Sequence, residues 1–223
     1  MSSQYNFEEL MKKRHSVRKF QSKEIPEDIL KSIISTSLRT PSWANSQPWN
    51  IYVVSGKALE EIRKIWITKN NENIKGYSDV PPVHRTEFSE RAQQSMNHTF
   101  SKLGIFVDDP NLEKFMKYQH ILFNAPTVVY LTLNKGYSKW SIYDLGALGM
   151  SIMLSAIDRE IDSIVAYELI KYPDVLRKVA KISENEDIII GIALGYEENE
   201  ICNKYRSDRN SLDEVCHFLN DTE

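Results

Sequence analysis

A single mixed α+β domain is what this 223-residue sequence predicts, and three observations predict it. The runs TVVYLTL at 127–133 and DIIIGIAL at 187–194 are short, apolar and β-branched, as buried strands are. Around them apolar residues recur at helical spacing, most clearly Ile29, Leu30, Ile33, Ile34 and Leu38. Helix and strand patterns alternate irregularly along the whole length, with no internal repeat and no low-complexity block.

In chain order, Glu8 to Lys13 reads as a short helix, and the stripe after Pro26 as a second. A polar break follows at Arg39 to Gln47, then a strand at Asn50 to Val54 and a helix at Lys57 to Lys69. Asn70 to His84 holds Gly76, Pro81 and Pro82 with few large aliphatics, and reads as a mobile excursion rather than a domain linker. Helical patterns resume at Thr86 to Leu103 and Asn111 to Phe123. Ile142 to Asp158 is an apolar helix whose Gly146, Ala147, Gly149 and Ala156 allow close packing. Ile161 to Ala166 suits a short strand or an extended turn, and Tyr172 to Lys181 a helix with Pro173 in its first turn. The tail from Gly195 begins polar and ends in a short helix near Leu212 to Leu219.

Apolar residues at 41% and charged residues at 26% suit one soluble globular domain with a sizeable core. A formal charge of -3 supplies no global positive field, which argues against nucleic acid as a partner. The longest apolar run, near Ile188 to Leu194, is too short to span a bilayer, so no membrane partner is expected. The N-terminus lacks an apolar secretory core, and Cys202 and Cys216 form no CxxC pair, which together point to the reducing cytoplasm. The five histidines show no HxxxH or HExxH spacing, so no metal is expected. Neither GxGxxG nor GxSxG is present. Asp144 reads as a helix-start or structural carboxylate.

Two constellations could carry chemistry. Arg14-His15-Ser16-Val17-Arg18 places two guanidiniums and a hydroxyl within five residues, and forked donors of that kind suit a phosphate. Spacing alone favours an ordinary solvated basic patch, since Lys12, Lys13 and Lys19 adjoin it. Pro41 to Trp49 packs two prolines, two tryptophans and several amide and hydroxyl groups between a helix and a strand. Prolines restrict the backbone, and amide side chains can pair with the edge of a heterocycle. A plain helix-to-strand loop explains Trp49 well but explains the density of polar groups poorly.

RHSVRKF, IPEDIL and PSWANSQPWNIYVV together resemble the opening of bacterial nitroreductase-family flavoproteins. LFNAPTVVYLTL, YDLGALGMSIMLSA, IDSIVAYELIKYP, IIIGIALGY and NKYRSDR continue the likeness in the same order, over nearly the whole chain apart from Asn70 to Phe106. The resemblance implies an α+β nitroreductase-like fold over 1–223, with a central, mainly antiparallel sheet flanked by helices. It implies an intertwined homodimer in which a tail from about 196 to 223 is exchanged onto the partner, and an excursion at about 70–106 over the active site. The implied cofactor is non-covalent FMN, with NAD(P)H as transient co-substrate.

By the same resemblance, Arg14, Ser16 and Arg18 match the positions that grip the FMN phosphate, with backbone from His15. Pro41, Ser42, Trp43 and Asn45 match a loop that reaches the isoalloxazine ring from the partner subunit. Gln119 stands where many relatives carry an asparagine near the pyrimidine edge. Val165, Ala166, Tyr167 and Glu168 match the segment against one flavin face, where a backbone N–H donates to N5. Arg209 matches a tail arginine that returns to the phosphate, and Arg206 is a second candidate for that job. Two positions depart from the family: Glu160 stands where relatives often carry glycine, and Val165 where they carry proline. Tyr77, Phe88, Phe100 and Phe106 are either walls of the site or ordinary helix packing.

The expected chemistry is a ping-pong hydride cycle from NAD(P)H to a nitroaromatic, a quinone or an activated double bond, with no side chain named as catalytic. Alternatives on the same fold are a reductive dehalogenase, a flavin-consuming enzyme, and a protein that stores or delivers flavin.

Overall fold

Along the central strands, side chains alternate between two cores, as the two-residue repeat of a strand requires. In the computed structural model, which describes residues 5–106 and 116–219, Val128 and Tyr130 enter one core while Val129, Leu131 and Leu133 enter the other. The strands are β1 (Trp49–Ser55), β2 (Thr127–Asn134), β3 (Asp162–Ala166) and β4 (Glu186–Gly195). They form one sheet in the order β1-β2-β4-β3 with every pairing antiparallel, as expected for the fold class.

The helices are α1 (Phe7–Lys13), α2 (Glu27–Ser37), α3 (Gly56–Asn71), α4 (Glu90–Phe106), α5 (Lys139–Ile157) and α6 (Pro173–Ala180). α2 and α5 cover one sheet face, burying Leu30, Ile33, Leu145, Leu148 and Ile152. α3 and α6 cover the other with Leu59, Ile62, Trp66, Val175 and Leu176. Gly191 of β4 lets the turn Tyr167–Leu169 lie flat on the sheet, because a Cβ there would stand 2.7 Å from Leu169 Cβ.

Several boundaries differ from expectation. α5 begins at Lys139 rather than Ile142, because Ser138 caps it by accepting from the Ser141 N–H. It is also long and apolar enough, by length and composition, to cross a membrane, which the count of consecutive apolar residues overlooked. One of its faces is core, with Leu145, Leu148, Ile152 and Ala156 buried. The helix expected at Leu212 to Leu219 stops at Val215. Of the helix expected at Asn111 to Phe123, residues 116–120 are helical and 111–115 lie outside the described residues. Its end is fixed by three successive left-handed residues, Leu122, Phe123 and Asn124.

The start of the excursion at 70–84 is tied to the body. Tyr77 N donates to Lys171 O at 2.9 Å, and Tyr172 Oη to Ile74 O at 2.9 Å. Asp79 takes both guanidinium nitrogens of Arg177, at 3.3 and 2.9 Å, and the Ile188 N–H at 2.7 Å. A carboxylate with three donors is a fixed point, and composition alone could not show it.

Candidate active site

The arginine motif leaves α1 and runs against the edge of the sheet. Ser16 bridges Ser163 of β3 in parallel, and Val17 N donates to Ser163 O at 3.0 Å. Val17 and Phe20 enter the core, which turns the alternate residues outward. Arg14, His15, Ser16 and Arg18 then line a cavity of about 270 Å³ that Arg206 and Arg209 close from the tail. Met11, Lys12, Tyr205 and Ser207 complete its wall. The cations thus converge on one concavity, an arrangement that a solvated basic patch does not require.

Like charges face one another across this cavity. Burial pushes the Arg14 guanidinium below the usual arginine range, and Arg209 adds to the effect. Burial does the same to Arg18, where repulsion from Arg206 works against the attraction of Cys202 and Tyr205. Bonds from the guanidiniums to backbone oxygens hold three of these arginines in place. Arg18 Nη1 donates to Ser16 O at 2.9 Å, Arg206 Nη1 to Asn203 O at 2.6 Å, and Arg209 Nη1 to Ser207 O at 3.0 Å. His15 is nearly buried and turned inward: Nδ1 meets Lys13 O at 3.0 Å, and Nε2 faces Glu197 at 3.5 Å.

From Ser163 the strand leads away from the cradle. Val165 on the strand and Tyr167 in the turn after it are 43% and 41% exposed, an open strip beyond the buried Ser163 and Ile164. β3 is an edge strand, so the backbone groups on its outer side are unused by the sheet. Burial raises the Glu168 carboxyl above its usual range, although Lys171 Nζ at 2.6 Å opposes the shift. Gln119 sits on the helical stretch 116–120, half-buried, with Nε2 3.3 Å from Met116 Sδ. That stretch links the two regions: Lys19 Nζ lies 5.4 Å from the Tyr118 ring centre, and His120 acts electrostatically on Glu168.

The aromatic loop lies elsewhere. Ser163 faces Leu194, which faces Thr127, whereas Trp49 at the loop's exit faces Leu133. Six residues of strand separate Thr127 from Leu133, about 20 Å. Within one chain, Pro41, Ser42, Trp43 and Asn45 are thus at the opposite end of the sheet from Arg14, Ser16 and Arg18. Asp144, buried in α5, accepts the Trp43 N–H at 3.0 Å, and Ser42 Oγ accepts the Gln47 N–H at 2.9 Å. Ala44, Asn45 and Gln47 have φ of 50°, 56° and 44°, left-handed conformations that cost side-chain-bearing residues energy. The Trp43 ring stays 64% exposed despite this fixed backbone. Asp144 is a tie for the loop, not the start of its helix.

Residues 11–196 match the sequence model of the Nitroreductase family. The chain belongs to that family. It is 27% identical over 216 residues to the nitroreductase NfnB of Mycolicibacterium smegmatis, covering 95% of this chain and 92% of the relative. It is 23% identical over 218 residues to a 4-nitrobenzoate reductase of Pseudomonas putida, covering 96% of each. A crystal structure of the FMN-dependent nitroreductase NfnB from Mycobacterium smegmatis in complex with NADPH superposes with a TM-score of 0.87 at 26% identity, covering 95% of this chain and 96% of that one. A relative matched over less of its length is an iodotyrosine dehalogenase 1 homologue of Caenorhabditis elegans, 26% identical over 210 residues and covering 90% of this chain but 57% of its own length.

One departure from the family pattern has a physical account. Glu160 has φ of 58°, a left-handed position where glycine is free of strain. Its carboxylate accepts from Tyr5 Oη at 2.9 Å and lies 3.3 Å from Lys13 Nζ. Those contacts tie the Glu160 side chain to the N-terminal segment at a left-handed position. Val165 is extended and paired with Ile192. Tyr77, Phe88 and Phe100 are 53%, 44% and 48% exposed, so ordinary helix packing does not bury them; the Phe106 side chain lies outside the described residues. The residue that sequence reading missed is Asn203, within the same NKYRSDR segment from which only the arginines stood out.

Proposed function

We propose that this protein is an FMN-dependent oxidoreductase that reduces small electron-poor acceptors (nitroaromatics, quinones or activated double bonds) with NAD(P)H, by a ping-pong hydride cycle and as a homodimer. The observation that carries the reading is the convergence of Arg14, Ser16, Arg18, Arg206 and Arg209 on one cavity at the head of the open β3 strip. Its donor set fits a phosphate monoester: several cations, a hydroxyl, and two guanidiniums shifted down by burial, with Arg209 adding to the shift of Arg14 and Arg206 to that of Arg18. FMN bound there would supply the hydride-accepting ring. The residues of this chain supply position and charge: the cradle fixes the phosphate, and the strip Val165–Glu168 offers backbone donors along the ring, with Gln119 beside it.

The homodimer is supported by the division of the site. A loop with three left-handed residues and an exposed tryptophan is built about 20 Å along the sheet from the cradle, so a second copy is the simplest source of a loop for each cradle. α5 also leaves an uncovered stripe: Tyr143 is 74% exposed, and a Cβ at Gly146 would meet nothing within 4 Å. Small and apolar residues on such a stripe suit close approach of a second helix.

The test is a visible absorption spectrum during anaerobic titration with NADPH and then NADH, followed by an acceptor screen that includes a halogenated phenol. Flavin bands that bleach with either nucleotide and recover with a nitroaromatic or a quinone are expected. Bands that persist with both nucleotides would overturn the reductase reading, and recovery with the halophenol alone would move the protein to reductive dehalogenation.

A further inference from the structure

The arginine cradle has a chemical difficulty that the phosphate-binding reading leaves open. Two of its cations, Arg18 and Arg206, repel one another inside a partly buried wall, and they come from segments far apart in the chain. Unless something holds both segments, repulsion favours an open cradle. Arg18 is tied to Ser16 O and Arg206 to Asn203 O, but neither bond by itself joins the motif to the tail.

Backbone bonds join the two segments further along, from Glu198 N to Lys19 O at 3.1 Å and from Gln21 N to Tyr196 O at 2.9 Å, and Asn203 makes the join at Arg18 itself. It is fully buried, in the turn Ile201–Asn203 of the tail. Its Oδ1 accepts the Arg18 N–H at 2.6 Å and faces the Lys19 N–H at 3.2 Å. Its Nδ2 donates to Lys19 O at 2.7 Å and to Glu198 O at 2.9 Å. Its own backbone oxygen takes the Arg206 guanidinium at 2.6 Å. Every hydrogen-bonding atom of the side chain is engaged, and the bonds fall on both sides of the cradle. An amide is the neutral side chain that both accepts from N–H groups and donates to carbonyls there. Aspartate would meet two carbonyl oxygens with a carboxylate oxygen, and leucine would remove all of these side-chain bonds.

We infer that Asn203 is the positioning residue of the phosphate cradle: its amide locks the Arg18–Lys19 backbone to the tail, and its carbonyl sets the Arg206 guanidinium. The role rests on the FMN reading above but is separable from it, because Asn203 itself does not line the cavity. It makes a specific demand. Loss of the amide should cost affinity for the phosphate end of the ligand and leave the ring end unaffected.

The experiment compares FMN with riboflavin, the same ring without the phosphate, by fluorescence titration of the apoprotein. The proteins are the parent, Asn203→Ala, Asn203→Asp, and Leu59→Ala as a core-destabilised control at a residue that does not line the cavity. The parent should prefer FMN by at least about tenfold, and each Asn203 variant should lose about tenfold or more of that preference with riboflavin affinity within about threefold of the parent. Leu59→Ala should lower Tm and keep the preference. Equal loss of both ligands in the Asn203 variants, or an unchanged preference, would overturn the assignment. So would failure of both variants to fold, since Asn203 would then serve the fold and not the cradle. A parent with no preference for FMN would instead sink the cofactor reading itself.

Discussion

The cradle and the aromatic loop are built by opposite means. In the cradle the backbone is relaxed and the strain is electrostatic: like charges are brought together and held by bonds to backbone oxygens and by the Asn203 amide. In the loop the charge is unremarkable and the strain is in the backbone, at Ala44, Asn45 and Gln47. The cradle is assembled from the two ends of one chain, whereas the loop is held in large part by Asp144 and presents an exposed tryptophan. A site that must hold a charged group can keep all its cations in one subunit. The loop combines a fixed backbone with an exposed side chain at Trp43.

Four changes would break or sharpen that contrast. The largest effect is expected from Arg14→Ala combined with Arg209→Ala, which removes two charge-assisted donors and should weaken FMN binding by about 100-fold or more. Because two mutually repelling cations go together, Tm should not fall. Flavin retained as tightly as in the parent, measured by fluorescence titration, would refute the cradle.

Asp144→Ala acts on the loop. It leaves the Trp43 N–H without its partner and should lower stability by about 1–3 kcal/mol in urea unfolding. Acceptor turnover should fall while the preference for FMN over riboflavin stays, since the cradle is built elsewhere. A lost preference would mean that the two regions are coupled within one chain.

Ala44→Gly goes the other way. Glycine removes the cost of a left-handed residue, so thermal unfolding of the apoprotein should show stabilisation of up to about 1 kcal/mol. A lower Tm would show that this φ is not strained.

The smallest effect lies between the two regions, at Glu168. Burial raises its folded pKa, so its contribution is fully present below the ordinary carboxylate value and is lost as pH rises through the folded one. Urea unfolding from pH 4 upward should therefore show the parent losing stability relative to Glu168→Gln. A parent that gains on the variant over that range would mean that Lys171 outweighs burial.

Much of this was legible in the residues, for nameable reasons. TVVYLTL and DIIIGIAL declare buried strands because apolar, β-branched runs bounded by turn residues have few other stable states. PSWANSQPW points to a site because its density of amides is poorly explained by packing, whereas RHSVRKF points there through the family resemblance, its spacing alone favouring a solvated basic patch. The tie at Asp79 was not legible, since it depends on where Arg177 and Ile188 come to lie, about a hundred positions away. Nor was the start of α5, where one hydroxyl at Ser138 decided the boundary.

By itself, the sequence determined the α+β class and the main strands and helices, because periodicity and local composition act over a few residues, and its motifs supplied the residue types that line the cradle. Only the tertiary structure decided that the tail arginines close on the N-terminal ones, that the aromatic loop stands at the far end of the sheet, and that Asn203 joins the two halves of the cradle. Those facts depend on strand order and on contacts between residues up to 185 apart, which local patterns do not encode.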